Sequence, residues 1–160
     1  MEPSPPINAN GIATKWLVMA GVGMGMLMAT LDSSIVNISL PTLVEAFDTN
    51  FATVQWVVIS YLVVIASLIL GAARLGDMYD KKMLYMSGMA LFTIGSLLCA
   101  LSPSVNALIA FRALQGLGAA MLQALGMAII TEVFPPHERG RALGIQGTIV
   151  SVGIALGPPL

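Results

Sequence analysis

The chain has 160 residues, of which 57% are hydrophobic and only 9% charged, and its formal net charge at pH 7 is −1. A soluble domain carries about 25% charged residues, and a globule of this size lacks the interior to hide so much apolar surface from water. The composition therefore predicts an all-α integral membrane protein. It also excludes a nucleic-acid partner, because no basic face is left to contact phosphates.

The N-terminal segment is polar and contains several prolines, which predicts disorder over residues 1–15. An apolar run then extends from Trp16 to Leu40. This run is longer than the ~7–15 apolar residues of a cleaved signal peptide. It predicts a first transmembrane helix.

Five spans close to the ~20 residues that a bilayer requires can be placed along the chain. They cover residues 16–40, 54–73, 83–101, 107–131 and 142–160. We interpret residues 16–160 as one membrane-spanning helical domain. Because the last run ends in an unfinished helix, we expect the chain to be an N-terminal piece of a longer protein.

The connections between these spans differ in charge. Lys15 precedes the first span, and the remaining Lys and Arg residues outside the spans lie in loops 74–82 and 132–141. Loops 43–53 and 102–106 hold no basic residue. The positive-inside rule predicts that the basic side and the N-terminus face the cytoplasm, in a multi-pass protein of the cell (inner or plasma) membrane.

Arg112 is the only charged residue between Lys82 and Glu132, and it falls inside the fourth span. Helical spacing places small and polar residues on one stripe with it, beside Gln115. These are Gly116, Ala119, Gln123 and Gly126. One interpretation is that Arg112 snorkels to the headgroups. The other is that it lines a cavity and meets a carboxylate or a substrate, as charges inside membranes usually do.

Asp32 is the only acidic residue within any predicted span, and Asn37 follows one turn after Ser33. A carboxylate at this depth is suited to proton exchange. The alternative is that the helix ends early and leaves Asp32 in the headgroup layer. Asp32 and Arg112 thus form a candidate pair on different helices.

Two further segments carry helix-breaking or small residues. In loop 74–82, Gly76 permits a sharp turn and Asp77 is placed to cap a neighbouring helix. The short loop predicts that the second and third helices are tightly joined antiparallel neighbours. In the last span, a break or close packing is expected from Gly153, Gly157 and Pro158.

These motifs resemble the Major Facilitator Superfamily, and more narrowly its fourteen-span drug:proton antiporter branch. Residues 31–41 are similar to that branch's first-helix signature, and residues 112–120 to a fourth-helix motif associated with proton coupling. Residues 153–158 resemble the start of the fifth-helix antiporter motif, and residues 73–84 the loop motif between helices two and three. The resemblance implies five helices of a six-helix N-terminal bundle.

The loop motif departs from the family pattern at three positions. Ala73 and Asp80 stand where glycine is usual, and Met78 stands where arginine is usual. Family members are thought to use this loop in a conformational charge network. Its gating role here therefore depends on a substitute among Arg74, Lys81 and Lys82.

The resemblance implies a proton-coupled antiporter that exports small amphipathic or cationic compounds, with the proton as coupling ion and no cofactor or metal. Its pathway would comprise Asp32, Asn37, Arg112, Gln115 and Gln123, and its partners would be a small-molecule substrate, the lipid bilayer and further spans of the same protein. Two alternatives remain open: a metabolite transporter for a sugar or organic acid, and a non-transporting membrane scaffold. An enzyme is not expected, because no His/Cys cluster, nucleophile–base spacing or phosphate loop is present. The chain alone is expected not to transport.

Overall fold

The computed structural model describes residues 9–156, which form five α-helices and no strand. The all-α prediction is confirmed. The helices are α1 (Ala9–Ala46), α2 (Phe51–Met78), α3 (Lys81–Ala100), α4 (Val105–Val133) and α5 (Pro136–Leu156). By length and composition, α1 to α4 are suited to cross a membrane. The described part of α5 is not in that group, since its first turns are charged and the end of the fifth predicted span lies outside the described residues.

Helix α1 is longer at both ends than its apolar run indicates. It begins at Ala9, so residues 9–15 of the segment predicted to be disordered over 1–15 are helical, and residues 1–8 lie outside the described part. It also continues through Pro41 to Ala46. Pro41 has no N–H to donate to the carbonyl of Asn37, yet the helix remains continuous across this position.

The link between α2 and α3 is shorter than predicted, because most of loop 74–82 is helical. Gly76 lies inside α2, so the prediction of a sharp turn there is wrong. Asp80, rather than Asp77, caps α3: its carboxylate accepts a hydrogen bond of 2.8 Å from the backbone N–H of Met83. Helix α2 continues for about one turn beyond the end of its apolar run at residue 73.

Helix α4 is the central element of the bundle. It packs against both α2 and α3, whereas α2 and α3 barely contact each other despite their short link. The prediction that these two are neighbours is therefore wrong, because α4 separates them. The buried residues of α4 are distributed around much of the helix, as expected for an element with partners on several sides.

Small residues permit these close contacts. A Cβ atom at Gly118 would fall 2.7 Å from the carbonyl oxygen of Gly88 in α3. A Cβ atom at Gly116 would fall 3.0 Å from the carbonyl oxygen of Tyr61 in α2. In a membrane, such small residues let backbones approach closely where no hydrophobic force distinguishes protein from lipid.

Helix α5 runs parallel to α1. Its contacts with α1 advance in the same order along both helices: Lys15 with Glu138, Gly23 with Ile149, and Thr30 with Gly153. Ser34 continues the series, since its hydroxyl donates a 3.3 Å hydrogen bond to the carbonyl of Ile154. Two parallel helices in contact must both begin at the same side of the bundle.

A cluster of charged and aromatic residues fixes that side, which we call the basic end. Lys15 pairs with Glu138 at 2.5 Å and also lies 5.7 Å from the ring centroid of Phe134. Trp16 stacks edge-on against Phe134 at 5.8 Å, and the guanidinium of Arg141 lies 5.8 Å from the Trp16 ring. The cluster ties the start of α1 to the α4–α5 connection.

We predict that Gly118→Ala destabilises the bundle by about 1–3 kcal/mol, because the new methyl group meets backbone atoms of α3 that are not free to rotate away. Gly71→Ala is the matched control, since nothing lies within 4 Å of a Cβ atom at that position. Thermal unfolding in detergent measures both. Equal midpoints for the two variants would contradict the close contact.

The pKa of Glu138 is lowered, chiefly because the Lys15 ammonium donates a hydrogen bond to its carboxylate. A lowered folded-state pKa means that the pair stabilises the protein above the ordinary carboxyl pKa, and that this contribution disappears as the pH falls through the folded value. We expect Glu138→Gln to lower the unfolding midpoint at pH 7. The gap between the variant and the unmodified protein should narrow as the pH is lowered through the folded-state pKa; a gap that stays constant with pH would contradict the pairing.

Candidate functional site

Polar side chains from two helices meet in the interior of the bundle. Asp32 comes from α1, and Arg112 and Gln115 come from α4. We call these three residues the polar network. Arg112 is 2% exposed and Gln115 is fully buried, whereas the side chain of Asp32 retains 19% exposure. The network therefore has one partly open side, at the carboxylate.

The three side chains form a closed ring of hydrogen bonds. Nη1 of Arg112 donates to Oδ2 of Asp32 at 2.5 Å and to Oε1 of Gln115 at 2.6 Å. Nε2 of Gln115 donates to Oδ1 of Asp32 at 3.0 Å. Both carboxylate oxygens are thus occupied, and the buried positive charge is compensated by a partly buried negative charge.

Two residues that the sequence did not single out complete the site. The guanidinium carbon of Arg112 lies 4.6 Å from the ring centroid of Tyr61 in α2, a cation–π distance. The thiol of Cys99 in α3 donates to Oε1 of Gln115 at 3.7 Å. Four helices therefore contribute to the site. Tyrosine and cysteine are common in apolar spans, so the sequence gives no signal that these two residues belong to the site. Their contacts in the folded structure identify them.

Both alternative interpretations of the charged residues are excluded by this geometry. Arg112 does not snorkel, because its side chain is buried and faces Asp32. Asp32 does not sit at an early helix end, since α1 continues to Ala46. At 1.5 Å per residue, the helix extends about 20 Å beyond Asp32.

The chemistry of the network follows from its charge balance. With Asp32 ionised, the pair with Arg112 is neutral overall. A proton added to Asp32 removes the only negative charge that contacts the guanidinium in the described residues. An uncompensated buried charge is strongly unfavourable in a low-dielectric interior. Loss of the Asp32 charge would leave the guanidinium with only its neutral contacts to Gln115 and Tyr61.

Asn37 and Gln123, also predicted for the pathway, lie outside the polar network. The Asn37 amide donates to the carbonyl of Ser33 at 2.9 Å, within its own helix. Both residues line a cleft of about 480 Å³ between α1, α4 and α5, which we call the α1–α5 cleft. Its polar lining consists of hydroxyl and amide groups, from Thr30, Ser33, Ser34, Asn37 and Gln123.

The predicted stripe on α4 is only partly a cavity lining. Gly116 faces the backbone of Tyr61 in α2, and Gly126 contacts Val22 of α1. Ala119 is fully buried. These three positions serve helix packing, whereas Gln123 opens onto the α1–α5 cleft.

A second cleft, of about 580 Å³, opens at the basic end between α1, α3 and α4, and we call it the basic-end cleft. Gly76 and Asp77 both line it. Gly76 is also a packing position, because a Cβ atom there would clash with the side chain of Leu125 in α4. Asp77 is exposed and does not contact the polar network.

Lys81, the first residue of α3, is the basic residue of predicted loop 74–82 that reaches another helix. Its ammonium forms a 2.8 Å ion pair with Glu132 near the end of α4. Arg74 and Lys82 have no ion pair within the described part of the chain. A charge connection between this link and α4 therefore exists without the arginine that the family pattern has at position 78.

In α5, Gly153 lies at a close contact with α1, where a Cβ atom would fall 3.0 Å from Thr30. Gly157 and Pro158 lie outside the described residues. Among the residues that are described, no group of three His, Cys, Asp or Glu side chains is placed to hold a metal ion.

We predict a strong coupling between the two charged residues of the network. Arg112→Met should destabilise the protein by about 2–4 kcal/mol, because it leaves the partly buried Asp32 carboxylate without its positive partner. Adding Asp32→Asn to that variant should restore part of the loss, since no lone charge remains. Unfolding in detergent of both single variants and the double variant gives the coupling energy. Strictly additive effects would contradict a direct pair.

Comparison with known proteins places this geometry in a family. The Major Facilitator Superfamily model matches residues 22–160. The riboflavin transporter RibZ of Clostridioides difficile is 41% identical over 90% of this chain and 32% of its own length. Multidrug resistance protein Stp of Mycobacterium tuberculosis is 40% identical over 92% of this chain and 28% of its length. The tetracenomycin C resistance and export protein of Streptomyces glaucescens is 34% identical over 89% of this chain and 27% of its length.

The chain thus spans about a third or less of the length of these relatives. The family match nevertheless covers most of the chain, from the middle of α1 onward. Together with four helices suited to crossing a membrane, it identifies a multi-pass membrane protein. The chain belongs to the Major Facilitator Superfamily.

Proposed function

We propose that this chain is the N-terminal part of a proton-coupled antiporter that exports small amphipathic or cationic compounds. The single observation that carries the proposal is the buried ring of Asp32, Arg112 and Gln115. A membrane protein gains little stability from a buried ion pair, so such a pair usually serves a pathway. Here it joins α1 to the central helix α4.

The proton is the coupling ion in this proposal, and Asp32 is its acceptor. Protonation of Asp32 releases Arg112, whose uncompensated charge then favours a different arrangement of α1 and α4. Deprotonation restores the pair and the original packing. Alternating access by the rocking of two bundles needs this kind of differential stabilisation of two states.

The names of the relatives support export as the direction. One is a multidrug resistance protein, and another is a resistance and export protein for tetracenomycin C. A carrier of this kind needs no cofactor and is not an enzyme. Its partners are the small-molecule substrate, the lipid bilayer and the remaining spans of the same transporter.

The basic end of the bundle faces the cytoplasm in this proposal, with the N-terminus on the same side of the cell membrane. Lys15, Lys81 and Arg141 all lie at that end, and the positive-inside rule favours it. Gly76, Asp77 and Gly153 would then lie in elements that move during gating.

Uptake or release of a vitamin-like metabolite is the second candidate, favoured by the 41% identity to a riboflavin transporter. Arg112 does not need to bind the substrate in either case, since its guanidinium is already paired with Asp32. The paired guanidinium therefore offers an anionic organic acid no free positive charge in the network.

The test uses the complete transporter in proteoliposomes with an imposed pH gradient. Asp32→Asn should abolish gradient-driven substrate flux, because the amide cannot exchange a proton, while substrate exchange without a gradient persists. Asp48→Asn is the matched control: it makes the same chemical change on an exposed residue whose φ of 46° asparagine tolerates. Gradient-driven flux that survives Asp32→Asn and Arg112→Ala at normal expression would rule out the coupling role.

A further inference from the structure

Gln146 in α5 is buried without a protein partner for its amide. The side chain is 2% exposed, and neither Nε2 nor Oε1 has a hydrogen-bond partner among the described residues. Buried amides in native proteins are almost always paired, with protein groups or with ordered water. Inside a membrane bundle an unpaired one is especially unfavourable. The polar network does not use this residue.

The amide lies where α1, α4 and α5 meet. A Cβ atom at Gly126 of α4 would fall 3.8 Å from Nε2 of Gln146 and 3.1 Å from Cγ1 of Val22 in α1. Gly126 thus keeps the α4 backbone clear beside the amide. Tyr85 of α3 supplies a second polar group to this layer, since its hydroxyl donates to the carbonyl of Val22 at 3.1 Å.

This layer separates the two clefts. On the side away from the basic end, Met26, Gln123 and Val150 line the α1–α5 cleft. Each of them is one helical turn from a residue of the layer, on α1, α4 and α5 respectively. These residues of the layer are Val22, Gly126 and Gln146.

On the other side, Val22 and Tyr85 line the basic-end cleft. The partition between the clefts is therefore about one helical turn, or ~5.4 Å, thick. Its apolar members cannot carry a proton. Within this partition, the amide of Gln146 is a polar group that has no hydrogen-bond partner among the described residues.

We propose that the Gln146 amide binds internal water in this partition, and that the water conducts protons between the α1–α5 cleft and the basic-end cleft. Nε2 donates a hydrogen bond to one water, and Oε1 accepts one from a water. A proton entering on one side is taken up by a water, which releases another proton on the opposite side, so no bond to the glutamine forms or breaks. The conduction step rests on the proton coupling proposed above, whereas the water site does not.

The water site is tested by the sign of a stability change in Gln146→Met, which keeps the length of the side chain and removes the amide. If water is bound, the variant loses its hydrogen bonds, and the unfolding midpoint in detergent falls. If no water is bound, the substitution removes a buried amide that has no hydrogen bonds and with it an unfavourable desolvation cost. An unchanged or raised midpoint would therefore overturn the proposal. Gln55→Met makes the same substitution on an exposed residue of α2 and should leave the midpoint unchanged.

The unmodified transporter gives a second measurement that needs no variant to fold. A cryo-EM map that resolves waters elsewhere in the bundle should show water within hydrogen-bonding distance of both amide atoms. A map with ordered amide density and no water beside it would overturn the site.

Conduction is measured as substrate-driven proton flux in proteoliposomes. Gln146→Met should slow the flux about tenfold, the effect of ~1.4 kcal/mol on a barrier, with an unchanged Kd for substrate. Unchanged flux in Gln146→Met, in a preparation where Asp32→Asn abolishes it, would overturn the conduction step. Flux that survives Asp32→Asn would instead count against the coupling role of Asp32, and the two failures are thereby distinguished.

Discussion

The rest of the bundle is arranged around one buried ion pair between α1 and α4. Two opposite charges in a medium of low dielectric must stay in contact, since separating them exposes each to its full desolvation cost. That requirement fixes the relative depth of Asp32 and Arg112, and hence of the two helices that carry them. Gln115 and Tyr61 then hold the guanidinium from two further directions, one by a hydrogen bond and one by its ring face.

The small residues of α4 make this arrangement possible. Gly116 and Gly118 face different helices, so α2 and α3 both approach the α4 backbone within a turn of Gln115. Larger side chains at those positions would separate the helices and open a route for lipid or water to the charged pair. The glycines therefore control the dielectric environment of the network as well as the packing.

The sequence predicted the parts of the structure that stand out chemically against an apolar background. Asp32 and Arg112 are rare charges within spans, so the sequence indicates that they form a pair. The apolar runs likewise predict the helices. Tyr61, Cys99 and Gln146 were not found, because uncharged residues become informative only when their neighbours in space are known. Asp77 is the predicted cap, whereas Asp80 caps α3 in the structure, because α2 extends beyond its hydrophobic residues. The separation of α2 from α3 by α4 is likewise a property of tertiary packing that short-loop reasoning misses.

Asp32 and Arg112 lie 80 residues apart in the chain. At synthesis rates of about 5–20 residues per second, the first helix waits roughly 4–16 seconds before its counter-charge has been made. During that interval the carboxylate on α1 has no partner, and neither does the face of α1 that will receive α5. Asp32, which joins α1 to α4 in the assembled bundle, is thus an uncompensated charge while the protein is being inserted. Stable placement of α1 in the bundle therefore depends on the later arrival of the fourth helix.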